Sequence, residues 1–299
     1  MRFIKALYFL VFVSVISSVI MLDAIAKNEN GREYYTYLLA GYDYTYENTD
    51  VISVVSYSTR DNTLSLLQIP RDTYFDHGYG QRKINQLYPH LLAHGISRDD
   101  AMLRLTEAIS DAFGIDIDGY IGLTGASFTK LIDSLGGIDV CLEEDLILLD
   151  GNGNAVKKYN AGNNRLSGAD ALTIARYRKG YPDGDLGRLS MQRLIIKGIT
   201  DRLRAGVSYL DAMNIVAVMK DSVTSITPTE ALGFLLKNAE ALPDTRINIH
   251  RLPGKPVINK GISYYVTDAA KSDGILDLYF QRSQRGIDKN GILTIPSGI

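Results

Sequence analysis

Two carboxylates and one guanidinium, those of Asp50, Asp72 and Arg71, are predicted to meet at one end of a β-hairpin. The runs 51–58 and 63–69 are rich in β-branched and aliphatic residues and flank a polar turn, which predicts two antiparallel strands. With the turn centred on its four residues, Asp50 lies opposite Arg71 within about 5 Å, and Asp72 lies beside them. Such a group suits a divalent cation next to a phosphate. The alternative is a strand-end salt bridge with an Asx turn.

A second group of polar and basic residues flanks a loop rich in Gly, Asp and Pro at 180–187. Its members are Arg176, Arg178 and Lys179 before the loop, and Arg188 and Gln192 after it. Positions 188 and 192 share one face of a predicted helix, whose free amides and positive dipole end favour an anion. Arginine forks suit bidentate phosphate contacts. The alternative is a solvated basic face.

Other chemical signals are weaker. The segment 150–154 begins like a calcium loop, but Ala155 and Ala161 replace the glycine and glutamate that such a loop needs, so we predict a hairpin turn. Gly136 and Gly137 follow a predicted helix and are interpreted as its end. Cys141 is the one cysteine, which excludes an internal disulfide, and we predict that it is a small buried residue.

Three histidines, His77, His90 and His94, lack the carboxylate or cysteine spacing of a zinc site and are interpreted as surface or core residues. The chain has 299 residues, enough for one large domain or two modest ones, and its 45% hydrophobic and 22% charged content is typical of a globular protein. A net charge of −2 and the absence of a basic run interleaved with aromatic residues argue against nucleic-acid binding.

The N-terminus predicts export across a membrane. Arg2 and Lys5 in the n-region, residues 1–5, precede an apolar stretch that is just long enough to span a bilayer, so we predict a transmembrane anchor at 6–26 with the basic end cytoplasmic. The alternative is a secretory signal cleaved after Ala26. Either way the remainder is extracytoplasmic, beginning with a polar tether at 27–34.

The elements that must position these residues alternate between strand and helix. Both hairpin strands carry apolar residues on both faces, which is expected of central strands covered by helices on each side, and this predicts an α/β sandwich. A further strand is predicted at 35–40 and another near 247–252. Helices are predicted at 99–113, 125–135, 167–177, 188–204 and near 228–242. No internal boundary is visible, so we predict one domain at 35–280 and a tail at 281–299.

Several segments together resemble the LytR-CpsA-Psr family of bacterial cell-envelope proteins. The matching pieces, in family order, are 38–43 (Leu-Leu-Ala-Gly-Tyr-Asp), 49–50 (Thr-Asp), 69–73 (Ile-Pro-Arg-Asp-Thr), 83–85 (Lys-Ile-Asn), 131–138 (Leu-Ile-Asp-Ser-Leu-Gly-Gly-Ile), 166–172 (Leu-Ser-Gly-Ala-Asp-Ala-Leu), 175–178 (Ala-Arg-Tyr-Arg) and 185–188 (Asp-Leu-Gly-Arg). The single-pass N-terminal anchor is also usual for the family.

The resemblance implies a three-layer α/β/α sandwich with a central mixed sheet and a deep apolar channel for a lipid tail. It implies a membrane-anchored transferase that moves a polyprenyl-pyrophosphate-linked glycopolymer onto a muramic acid hydroxyl of peptidoglycan through a phosphodiester. By the same resemblance, Asp50 and Asp72 would hold Mg²⁺, and Asp72 and Arg71 would be catalytic. The residues that would bind the pyrophosphate are Arg71, Lys83, Arg176, Arg178, Arg188 and Gln192.

One position departs from the family pattern. The family usually has Arg directly before Gln192, whereas this chain has Met191 there and Arg193 after it, about 100° away around the helix. Phosphoryl transfer needs positioning and charge neutralisation rather than a Ser, Cys or His nucleophile, so a carboxylate-held metal and several arginines around a pyrophosphate would suffice. Asp72 could accept the proton of the attacking hydroxyl or bind the metal. The alternatives are a lipid pyrophosphatase and a non-catalytic membrane-bound module that binds polyprenyl phosphate.

Overall fold

The computed structural model describes residues 33–42, 49–78, 82–150, 152–177, 208–220, 223–225 and 246–282, with scattered positions between 191 and 206. The described chain divides into two compact units. We call them the sheet unit, with residues 33–122, 223–225 and 246–282, and the hairpin unit, with residues 123–220. The single domain predicted at 35–280 stays a prediction.

The helices and strands follow one another along the chain in mixed order. They are β1 (Tyr34–Tyr42), β2 (Thr49–Ser58), β3 (Thr63–Ile69), α1 (Ile84–Ala93), α2 (Arg98–Phe113), β4 (Gly119–Thr124), α3 (Gly125–Ser134), β5 (Ile138–Leu142), β6 (Leu146–Leu149), β7 (Ala155–Tyr159), β8 (Gly162–Leu166), α4 (Gly168–Arg176), α5 (Tyr209–Lys220), β9 (Val223–Thr224), β10 (Arg246–Arg251), β11 (Gly254–Asn259), β12 (Ile262–Thr267) and α6 (Ala269–Tyr279).

The sheet unit is built on a six-stranded sheet with strand order β10-β3-β2-β1-β4-β9. Strand β10 runs parallel to β3, whereas β2 is antiparallel to both β1 and β3, so the sheet is mixed as predicted. The β2–β3 ladder pairs Ser58 with Thr63 and Ile52 with Ile69, which is the predicted hairpin register. Between β1 and β2, Gly41 pairs with Val51 and Tyr42 pairs with Thr49. Asp50 is therefore the extra residue of a β-bulge in β2.

The core of the sheet unit lies between one face of the sheet and the helices α1 and α2. Strand residues such as Leu38, Val54 and Leu67 pack there with Tyr88 of α1 and Met102 of α2. Every residue of β1 after the first is buried, so both faces of this strand are removed from water. This burial is why the central strands have no hydrophobic alternation in sequence, and it agrees with a mixed α/β fold.

The hairpin unit contains two short antiparallel pairs, β5 with β8 and β6 with β7, together with α3, α4 and α5. Helix α4 begins in a capping box, because the Ser167 hydroxyl accepts from the Asp170 amide and the Asp170 carboxylate accepts from the Ser167 amide. Its first residue, Gly168, packs so closely on the backbone of Thr129 in α3 that a Cβ atom would stand 2.2 Å from the Thr129 carbonyl oxygen.

Most predicted elements of the described chain are confirmed within one or two residues. Helices α2, α3 and α4, strand β10 and the hairpin turn after Asp150 lie where the sequence predicts them, and Gly137, at φ +89°, follows the end of α3. The described positions from Met191 to Arg202 are helical. Helix α1 was not predicted, because Pro89 inside it ordinarily interrupts a helix.

The prediction for Cys141 is wrong, because this residue is exposed. It lies on β5, where Ile138, Val140 and Leu142 point inward and the residues between them point to solvent. The predicted n-region, anchor or signal segment, the helix near 228–242 and nearly all of the tail lie outside the described residues. Among the described helices, none combines the length and the apolar character required to cross a membrane.

Candidate functional site

A charged cluster lies directly after β3 in the sheet unit. We call it the Asp72 cluster, and it consists of Arg71, Asp72 and Lys83. The Lys83 ammonium donates to Asp72 Oδ1 at 2.9 Å, and Arg71 Nε lies 3.8 Å from Asp72 Oδ2. The Asp72 side chain keeps 43% of its surface exposed while that of Lys83 keeps 13%. Asp72 is therefore both compensated by two cations and open to a ligand.

Backbone hydrogen bonds hold the cluster from two sides. The Tyr265 amide on β12 donates to the Asp72 carbonyl at 2.8 Å, and the Tyr74 amide donates to the Tyr265 carbonyl at 2.8 Å. From the start of α1, the Ile84 amide donates to the Thr73 carbonyl at 3.0 Å. The segment that carries Arg71 and Asp72 is thus joined to β12 and to α1, and this second junction brings Lys83 to Asp72 from 11 residues away.

Aromatic residues complete the surroundings of Lys83. Its ammonium lies 5.7 Å from the centre of the Tyr264 ring, within cation–π range, and Tyr264 makes an edge-to-face contact with Tyr74 at 5.6 Å. Sequence reasoning missed both tyrosines, since they belong to no charged motif and Tyr264 is 181 residues from Lys83. The abundance of tyrosine, 19 residues, was the one available signal.

The ring of His77 also contacts this region. Its Nε2 lies 3.0 Å from the Lys83 carbonyl oxygen, and burial lowers the pKa of His77 below its usual value. His77 and His90 are half-buried, and His94 is exposed.

The remaining predicted site residues are placed only in part. The β2–β3 ladder ends at the pair of Ile52 with Ile69. Asp50 lies at the bulge of β2, two residues before Ile52, and Arg71 lies two residues after Ile69. Neither residue therefore belongs to the β2–β3 ladder. The Asp50 side chain lies outside the described part of the structure. Arg176 is the last residue of α4, and its side chain is also outside the described part. Arg178, Arg188 and Gln192 fall outside the described residues altogether.

The predicted meeting of the two charged groups therefore stays a prediction. Among the described residues, no three His, Cys, Asp or Glu side chains come together as metal ligands. What the described geometry does bring together is one carboxylate, one ammonium and one guanidinium. Together they offer hydrogen-bond donors for phosphate oxygens and an acceptor for a proton or a cation.

In the hairpin unit, the ends of α4 are fixed by side chains. Partial burial raises the pKa of Asp170, but hydrogen bonds from Lys157, Tyr159 and Ser167 outweigh it and lower this pKa to about 2. Burial and the bond to Asp170 raise the pKa of Tyr159 to about 12. After the helix, the Tyr177 hydroxyl accepts from the Leu149 amide at 2.9 Å.

These features define a mixed α/β protein with a Lys-Asp-Arg cluster at the end of its central sheet. The chain matches the LytR_cpsA_psr family over residues 17–278, and it belongs to that family.

Two curated relatives and one solved structure illustrate the similarity. Cell wall biosynthesis protein LcpA of Corynebacterium glutamicum is 31% identical over 200 residues, which are 60% of this chain and 37% of LcpA. Polyisoprenyl-teichoic acid–peptidoglycan teichoic acid transferase TagU of Oceanobacillus iheyensis is 28% identical over 219 residues, 73% of this chain and 65% of TagU. The chain thus spans less than two thirds of either relative.

The Lin1025 protein of Listeria innocua has the same fold, with a TM-score of 0.63 at 24% identity, covering 82% of this chain and 96% of that one.

Proposed function

We propose that this protein is an extracytoplasmic transferase that attaches a polyprenyl-pyrophosphate-linked glycopolymer to peptidoglycan. Family membership and the name of the relative TagU support the reaction class. The observation that carries the proposal is the Asp72 cluster, in which an accessible carboxylate lies between a Lys and an Arg. Ligands with two linked phosphates need such cations, and a hydroxyl nucleophile needs such an acceptor.

In the proposed reaction, a muramic acid hydroxyl attacks the sugar-proximal phosphorus of the lipid-linked donor. A new phosphorus–oxygen bond forms to the glycan, the bond to the bridging oxygen breaks, and polyprenyl phosphate leaves. Arg71 and Lys83 neutralise the phosphate oxygens. Asp72 either accepts the hydroxyl proton or binds the metal ion. Arg176, Arg178, Arg188 and Gln192 are proposed to bind the same pyrophosphate from the other charged group.

Mg²⁺ is the proposed cofactor. Asp72 fits a metal ligand in one respect, since its carboxylate has about four lone-pair positions and is only partly covered by Lys83 and Arg71. Mg²⁺ usually takes one or two protein carboxylates and completes its shell with water and substrate phosphates. Asp50 and Asp72 would hold the ion, and it would neutralise charge on the pyrophosphate.

We further propose that the chain is a single-pass membrane protein, with the predicted anchor at 6–26 and the folded part outside the cytoplasm. The fold is proposed to have three layers, since burial of both faces of β1 is expected when helices cover both sides of a sheet.

The test uses the full chain in lipid nanodiscs with a lipid-linked glycopolymer, peptidoglycan and Mg²⁺. Polymer joined to peptidoglycan supports the proposal. Release of polymer phosphate without attachment identifies a pyrophosphatase instead, and retention of intact lipid without turnover identifies a binding module. Removal of Mg²⁺ with a chelator should stop attachment, and added Mg²⁺ should restore it.

A matched pair of arginine variants assigns the reaction to the cluster. Arg71→Ala should abolish attachment. Arg60→Ala should leave it unchanged, because Arg60 lies in the β2–β3 turn with a 71% exposed side chain that pairs with Glu33 at 3.8 Å. Equal activity of both variants would contradict the assignment.

A further inference from the structure

Side chains of the β6–β7 hairpin bind the N-terminal end of helix α4. Lys157 pairs with Asp170, and the Tyr159 hydroxyl donates to Asp170 Oδ1 at 2.8 Å. Asp170 is also the third residue of the helix, and its carboxylate completes the capping box with Ser167. One carboxylate therefore joins strand β7 to the first turn of α4.

The same hairpin also binds Tyr177, the residue that follows α4. Tyr177, the residue after the helix, has extended backbone angles of φ −71° and ψ 132°, so the helix ends there. Its hydroxyl accepts a hydrogen bond from the Leu149 amide at 2.9 Å. The register of β6 against β7 shifts between Leu148 and Leu149, where Val156 of β7 is the extra residue. Leu149, whose amide donates to the Tyr177 hydroxyl, adjoins this irregularity.

Side-chain contacts close the β6–β7 hairpin at its turn and at its base. In its turn, the amides of Asn152 and Asn154 donate to Asp150 Oδ1 at 2.8 and 2.9 Å. At its base, Asp145 binds the Lys158 ammonium at 2.7 Å and the Ala161 amide at 2.8 Å. Side chains thus close the hairpin at both ends, beyond the ladder bonds that join its strands.

We propose that Tyr177 is a positioning residue that determines the positions of Arg176 and Arg178. These arginines are its two neighbours in the chain, and the bond from the Leu149 amide to the Tyr177 hydroxyl fixes the residue that lies between them. The inference rests on the proposed function, in which both arginines bind the pyrophosphate of the donor. Tyr159, at the other end of the same helix, holds α4 without adjoining either arginine.

The test compares Tyr177→Phe with Tyr159→Phe in the full-length protein. Each variant loses one hydroxyl that links the hairpin to α4, so each is expected to lower the unfolding midpoint in urea by a similar small amount. Tyr177→Phe should raise the KM for the lipid-linked donor, and the Kd for inorganic pyrophosphate, by roughly three- to tenfold, as expected for one lost hydrogen bond. Tyr159→Phe should change both constants by less than twofold.

A second measurement does not depend on the proposed function. Limited trypsin digestion, followed by mass spectrometry, reports the rate of cleavage after Arg176 and Arg178. Tyr177→Phe should be cut faster there than both the wild type and Tyr159→Phe. Unchanged cleavage, or equal changes in the two variants, would overturn the positioning role whether or not the protein is a transferase. If the wild type shows no transfer activity but Tyr177→Phe is still cut faster than the wild type and Tyr159→Phe, only the proposed function is rejected.

Discussion

The Asp72 cluster and the ends of helix α4 are both charged regions, but they are held in different ways. Main-chain hydrogen bonds from β12 and α1 fix the segment that carries Arg71 and Asp72. Around α4, side chains make the corresponding contacts, with Asp170 bound at one end and Tyr177 at the other.

This difference indicates which substitutions should alter the reaction and which should alter stability or the positions of neighbouring residues. Main-chain hydrogen bonds hold the backbone of the Asp72 cluster, so replacing its side chains should remove a chemical group and leave the fold intact. Side chains around α4 are the supports themselves. Replacing them should therefore change stability or the position of neighbouring residues.

The largest effect is expected for Asp72→Asn. The amide keeps the shape of the side chain but cannot accept a proton or bind a cation as a carboxylate does, so kcat should fall by about a thousandfold. Steady-state transfer assays measure this. Asp76→Asn is the matched control, since Asp76 pairs with Arg82 at 3.2 Å in the same segment, and it should keep activity within about twofold. Unchanged transfer by Asp72→Asn would exclude both roles of this residue.

Gly168→Ala should destabilise the hairpin unit by about 2–3 kcal/mol, because the new Cβ would meet the Thr129 backbone, which cannot rotate away. Urea unfolding measures the free energy. The control is Gly274→Ala in α6, where a Cβ would meet nothing within 4 Å; there the substitution should stabilise by up to about 1 kcal/mol. Equal stability of the two variants would contradict the close packing of α4 on α3.

Asp170 should make the free energy of unfolding depend on pH in the acidic range. Its pKa is about 2 in the folded protein, below its ordinary value, so its contribution is complete above about pH 4 and is lost as the pH falls toward 2. Because the pair with Lys157 is partly exposed, the contribution should be about 1 kcal/mol or less. Urea midpoints of wild type and Asp170→Asn should differ at pH 6 and converge near pH 2. A constant difference would argue against this linkage.

The smallest effect is expected for Cys141→Ser. Because Cys141 is exposed on β5, the change should alter the free energy of unfolding by less than about 0.5 kcal/mol. The native protein should also react with one equivalent of a maleimide without unfolding. Slow labelling that requires denaturant would show that the thiol is buried after all.

Local sequence signals predicted much of the described fold. The helix predicted at 167–177 corresponds to α4, Gly137 predicts the end of α3, and the four-residue turn predicts the register of β2 with β3. These signals succeed because each acts within one turn of helix or one hairpin. Helix α1 and the exposure of Cys141 were missed, since Pro89 misleads a local rule and the inward face of a short strand depends on what packs against it.

The sequence alone determined the family, the adjacency of Arg71 and Asp72, and the tyrosine between Arg176 and Arg178, because these are facts of chain order. Tertiary structure decided that Lys83 approaches Asp72, that Tyr264 lies beside Lys83, and that Leu149 holds Tyr177. The reason is physical. Each of these contacts joins residues that are 11 to 181 positions apart, and only the packing of separate elements brings such distant atoms within hydrogen-bonding or ring-contact distance.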